Sequence, residues 1–151
     1  MTKEERNKLR KWLSQYKIFK KEVEERKKYL ENFREEMYNS LSSVWLDRVG
    51  HTTTIQNQTA IKVEKIEKEY GEMLRSMERC ICDLKKTMLQ IEKCIDSLEG
   101  NEWVVLYHRF ILCEEWENVA DSIDYGLRQC KRIEIKALEK LWAKYSFLHK
   151  I

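Results

Sequence analysis

The sequence predicts an all-α chain. It places a long antiparallel helical hairpin, coiled-coil-like, over residues 1–99 and a helix-turn-helix module over residues 100–151. Three observations carry this. Apolar residues recur at steps of three and four almost throughout, and strand-type alternation is nearly absent. Among 151 residues there are four glycines and no proline, so little interrupts a helix. Between Trp116 and Leu141 two short amphipathic runs flank a break at Asp124-Tyr125-Gly126.

The first run, from Met1 to about Met37, carries Leu9, Trp12, Tyr16, Phe19, Val23, Arg26, Leu30, Phe33 and Met37 at alternating threes and fours. That is an a/d seam with one basic interruption, Arg26. Thr2 and Glu5 have the spacing of a capping box. The aromatics are bulky for a two-stranded dimer and suit packing against a partner helix. Residues 39–59 read as a connection, rich in Ser and Thr with Gly50 inside it, where Leu41, Val44, Trp45 and Leu46 cluster either as a short packing helix or clasp or as a protein-contact patch. His51 has no ligand-like neighbours. A second helix spans about Gln56 to Leu98, with an apolar seam from Val63 to Leu98 and a stutter at Met73-Met77-Ile81. At about 40 residues it would be roughly 60 Å long. Gly100 is expected to end it and Asn101 to cap the next helix, Asn101 to Leu112.

In the last segment, Trp116, Val119, Ala120 and Ile123 form one apolar face. Gly126 can supply a left-handed backbone or a close approach at low steric cost. Cys130, Ile133, Ala137, Leu138 and Leu141 then form a second apolar face, with Arg128, Gln129, Lys131, Arg132 and Lys136 around it. Such a helix packs by one side and offers basic and amide groups that a DNA major groove accepts. Charge is distributed to match. Residues 101–125 hold one basic and six acidic side chains, whereas residues 126–151 hold seven basic and two acidic ones. The whole-chain net charge of +3 conceals this basic element on an acidic support. Trp142, Tyr145, Phe147 and Leu148 either extend the last helix or fold back as a tail.

The run GLRQCKRIEIKALEKL resembles the recognition helix of sigma-factor region four, whose signature ends in an I-E-x-K-A-L-x-K-L phrase. The preceding EWVVLYHRFILCEEWENVADSIDYG is similar to that family's E-x-x-V-L-x-x-R-[YF] and W-x-x-[IV]-A helices. The layout is closest to the sigma-like late transcription regulators of Gram-positive phages and mobile elements. The resemblance implies sequence-specific binding of double-stranded DNA, with helix 127–141 in the major groove. Arg128, Lys131 and Arg132 would then contact bases or nearby phosphates, Gln129 adenine or backbone, and Lys136 and Lys140 phosphate. Leu127 departs from the family's polar residue, and a Ser or Thr cap is missing at Gly126 or Leu127. Arg109 would pair with an acid of the following helix.

The expected protein is a transcriptional activator of late or transfer genes in a bacterial cytoplasm. It would be a homo-oligomer, a dimer by preference, with host RNA polymerase a candidate partner. Two alternatives are a DNA-binding subunit of a phage packaging machine and a helical adaptor that binds polymerase without reading DNA. No cofactor, metal or membrane partner is expected. Five cysteines without a Cys-x-x-Cys pair fit a reducing compartment, and Cys94, Cys113 and Cys130 read as small core residues. No Gly-rich phosphate loop or nucleophile-base arrangement argues for an enzyme.

Overall fold

A computed structural model describes the backbone of residues 1–46 and 55–150, and the side chains of 1–40, 64–65 and 67–149. The described residues are helical, with no strand among them. The helices are α1 (Lys3–Leu46), α2 (Ile55–Asp96), α3 (Gly100–Leu106), α4 (Trp116–Ile123) and α5 (Leu127–Lys144). A π-helical turn at Tyr107–Ile111 follows α3, and a 3-10 turn at Ser146–Lys150 follows α5. No described helix is long and apolar enough to cross a membrane.

Helix α1 begins at the expected capping box. Glu5 N–H donates to Thr2 Oγ1 at 3.2 Å, and Thr2 N–H donates to Glu5 Oε2 at 2.6 Å. The Thr2 amide holds the Glu5 carboxyl below its ordinary range. The helix runs nine residues past the expected end at Met37, to Leu46. Asn39, Ser40, Ser42 and Ser43 are weak helix formers, each costing only a few tenths of a kcal/mol, and no Gly or Pro precedes Gly50. The expected connection at 39–59 therefore loses its two ends to α1 and α2. Residues 47–54 lie outside the described residues, as do the side chains of the Leu41–Leu46 cluster.

The chain forms two compact units, and neither boundary falls at the expected 99/100 division. One unit comprises Met1–Lys21 with Lys85–Ile151, the other Glu22–Leu84. In the first, Leu9, Trp12, Leu13 and Tyr16 are buried together with Ile91, Cys94 and Ile95 of the α2 end and Leu98 just after it. Leu106, Phe110, Ile111, Ala137, Leu138, Leu141 and Leu148 complete that core. Leu13 lies outside the a/d seam read from the sequence. It is buried because the start of α1 packs on more than one element, which requires a wider apolar stripe. The Tyr16 hydroxyl donates to Glu92 Oε1 at 2.5 Å, and burial together with that carboxylate pushes the phenol above its ordinary pKa. After α5 the backbone turns at Tyr145 and the 3-10 turn returns Leu148 to the core, with the Phe147 ring edge-on to Trp12 at 6.0 Å. The fold-back tail is thus the arrangement adopted.

In the Glu22–Leu84 unit, Val23, Leu30 and Ile81 are buried. Phe33 stacks on Tyr70 with ring centroids 5.0 Å apart, and Arg34 meets Glu78 at 2.7 Å. Arg26, the seam's basic interruption, is exposed and pairs with Glu22 on its own helix. Met73, expected in the α2 seam, is half exposed. Two consecutive four-residue steps rotate the apolar stripe at the stutter and carry Met73 away from the contact line.

Burial separates the cysteines. Cys94 and Cys130 are buried as expected, Cys82 is exposed, and Cys113 is only half-buried. Burial pushes the Cys94 thiol up to about 11. The folded state favours the neutral thiol, so this contribution is complete below the ordinary thiol pKa and is lost as pH rises toward 11. Iodoacetamide at neutral pH should therefore modify Cys82 on the order of 100-fold faster than Cys94. Mass spectrometry of timed digests reads this, and equal rates would contradict the burial.

Candidate nucleic-acid interface

Helix α4 is fixed at its start by Arg109. Arg109 Nη1 donates to the Glu114 carbonyl at 2.6 Å and lies 3.7 Å from the Glu115 carboxylate. Its guanidinium sits over the Trp116 ring, 5.2 Å from the centroid. His108 Nδ1 and Glu114 Oε2 are 2.8 Å apart. The expected plain helix to Leu112 instead widens into the π turn, and Cys113 takes a left-handed backbone with φ 60° before α4 begins. Asn101 does not cap α3. Its amide donates to the Tyr125 hydroxyl at 3.3 Å, while Gly100, at φ 59°, makes the left-handed junction. Val105, Val119 and Ile133 form a small core that Trp116 and Ile123 close.

The turn between α4 and α5 differs from the expectation in one residue. The left-handed position is Asp124, at φ 53° and ψ 42°, and not Gly126. Tyr125 N–H returns to the Ala120 carbonyl at 3.1 Å and Asp124 N–H to Asp121 at 3.4 Å, the two bonds of a Schellman end. Asp tolerates this conformation better than most side chains because it bonds locally. Gly126 is extended, at φ −67° and ψ 149°, and is the N-cap of α5 without any side chain to fill that role. A Cβ there would meet nothing within 4 Å. Gly126→Ser should raise stability by about 0.5–1 kcal/mol, by capping α5 and by reducing the freedom of the unfolded chain. A thermal melt checks this, and a lower midpoint would contradict the cap geometry.

Helix α5 divides by side. Cys130, Ile133, Glu134, Ala137, Leu138 and Leu141 are buried. Arg128, Gln129, Lys131, Arg132 and Lys136 are all exposed. None of these five side chains has a hydrogen bond or ion pair with another described residue. Arg128, Arg132 and Lys136 form one row at four-residue spacing, with Gln129 beside Lys136. Lys131 stands around the helix by about 60° from Arg128 and about 100° from Arg132, on the other flank. Lys140, also considered for phosphate, is engaged by Glu102 at 2.7 Å. Leu127 and Tyr125 are exposed where α5 begins.

Two functional candidates escaped the sequence reading, Arg10 and Glu134. Glu134 lies among the buried residues of α5 at 3% exposure. Arg10 of α1 reaches it with Nε at 2.9 Å and Nη2 at 2.8 Å, a bidentate pair that raises the Arg10 pKa. The available signal was a carboxylate one step from Ile133 and three from Ala137 on an apolar face, which demands a cationic partner. Beside this pair a cleft of about 520 Å³ opens between α1, the π turn and α5. No group of three or more His, Cys, Asp and Glu among the described residues could hold a metal ion. Comparison with protein-family models, curated proteins and solved structures returns no match for this chain.

Proposed function

We propose that this protein is a sequence-specific DNA-binding transcriptional regulator whose α4, turn and α5 act as a helix-turn-helix of the sigma region-four kind. The observation that carries the reading is the division of α5. One side is fully buried, and the other offers Arg128, Gln129, Arg132 and Lys136 without partners among the described residues. Arginines at four-residue spacing suit bidentate contact with guanine, and Gln129 suits adenine or backbone. Lys131 suits phosphate better than base, given its place on the flank.

Helices α1 and α2 would pair as an antiparallel hairpin, supported by the Phe33–Tyr70 and Arg34–Glu78 contacts within the Glu22–Leu84 unit. One module of this size buries limited DNA surface. Self-association through the hairpin, a dimer by preference, would supply a second contact. The exposure of Tyr29, Tyr38 and Met73 favours this. The proposed setting is activation of late genes of a phage or mobile element, with polymerase as a further partner.

A second reading is a helical adaptor that meets protein through the acids of α4. Glu117 and Asp121 are exposed there, and Asp124 just after it. Retention of DNA fragments from the source replicon across a salt series decides between them. Selective retention of an upstream fragment, weakening steeply with salt, is the expected result. No salt-sensitive retention would overturn the DNA reading and leave the adaptor.

A further inference from the structure

The cleft beside Glu134 is built from three sources. Helix α1 contributes Arg10, Ser14 and Lys17, which share one face at i, i+4 and i+7. Helix α5 contributes Lys131 and Glu134. Arg109, Phe110 and Trp116 line the remainder. Four cationic side chains thus face two carboxylates, Glu115 and Glu134.

Both carboxylates are already committed. Glu134 gives both oxygens to Arg10, and Glu115 faces Arg109 at 3.7 Å. Lys17 and Lys131 have no hydrogen bond or ion pair among the described residues. The cleft therefore presents two ammonium groups on neighbouring helices that no carboxylate among the described residues pairs with. The bidentate Arg10–Glu134 pair holds together the two helices that carry these lysines, α1 and α5.

We infer that this cleft seats a backbone phosphate of the DNA duplex read by α5, so that Lys17 of α1 and Lys131 of α5 together neutralise it; this rests on the reading of α5 as a DNA-binding helix. A helix in the major groove, which is about 12 Å wide, has a phosphate backbone on each side. Gln129 and Lys136 lie on one flank of the Arg128–Arg132 row, and Lys131 lies on the other. The Lys131 flank is the one that α1 adjoins, so Lys17 extends the basic surface toward that strand. The Ser14 hydroxyl adds a neutral donor in the same cleft. A phosphodiester also explains why no carboxylate answers these lysines, since the ligand itself brings the charge.

The test compares two duplexes, the replicon fragment retained by the wild-type chain and a random-sequence duplex of equal length. Lys17→Ala/Lys131→Ala should reduce the slope of log K against log salt by about one on both duplexes, because a phosphate contact carries no sequence information. Lys17→Arg should keep the wild-type slope. Lys68→Ala, which removes an exposed lysine outside the cleft, should also keep it. A wild-type slope for Lys17→Ala/Lys131→Ala would overturn the inference. If Arg128→Ala/Arg132→Ala nevertheless abolished preference for the retained fragment, the reading of α5 would stand without it. A slope loss of equal size in Lys68→Ala would also overturn it, by showing only an effect of net charge. Absence of salt-dependent binding by the wild type to either duplex would remove the inference and the DNA reading together.

Discussion

Deleting residues 1–21 should unfold the C-terminal segment 85–151. The deletion removes Leu9, Trp12, Leu13 and Tyr16 from a core that they share with Ile95, Leu106, Leu138 and Leu141. Burying each such side chain stabilises by about 1.5–3 kcal/mol, so the four contribute roughly 6–12 kcal/mol. That is comparable with the whole stability of a domain, about 5–15 kcal/mol. The truncated chain should lose its cooperative melt for this segment. Leu13→Ala is the milder version, with an expected cost of about 2–5 kcal/mol. Urea unfolding followed by circular dichroism measures both. A cooperative transition of segment 85–151 at an unchanged midpoint after deletion would contradict the shared core.

Arg10→Ala should be the most damaging single change on the polar side of that unit. It strands Glu134, whose side chain is 4% exposed, and leaves both carboxylate oxygens without the guanidinium. An uncompensated buried carboxylate costs about 3–5 kcal/mol. Arg10 itself is 37% exposed, so water can enter where it stood and the expected loss is nearer 2–3 kcal/mol. Glu134→Gln should cost less, because an amide is cheaper to bury than a carboxylate and can keep one hydrogen bond. Arg10→Met/Glu134→Leu should recover much of the loss, as apolar replacement of a buried ion pair often does. The double-mutant cycle reads the coupling directly. A cost below about 0.5 kcal/mol for Arg10→Ala would show a pair no stronger than a surface salt bridge.

The helical class was legible because periodicity is a local property. Leu9, Trp12 and Tyr16 stand on the first apolar seam, Ile91 and Ile95 fall at its spacing between Val63 and Leu98, and all five are buried. So was the division of α5, since Cys130, Ile133, Ala137, Leu138 and Leu141 repeat at helical spacing and bury together. What the sequence concealed was long-range. No local pattern tells that the first turns of α1 pack on a module more than 80 residues away, which is why residues 1–21 were grouped with the hairpin. For the same reason nothing local to Arg10 points to its pairing with Glu134, 124 residues away. The left-handed turn residue was misplaced because Gly126 is the cheaper choice for that backbone, whereas the α4 end falls two residues earlier and makes Asp124 adopt it. The end of α1 was misplaced because serine weakens a helix without stopping it.

On the proposed reading, the outward row of α5 reads DNA sequence. Its most direct measurement is the affinity ratio for the retained fragment over random duplex, wild type against Arg128→Ala/Arg132→Ala, at fixed salt and with helicity confirmed. Two lost base contacts predict a fall in that ratio on the order of 100-fold or more. An unchanged ratio in a folded variant would contradict the claim.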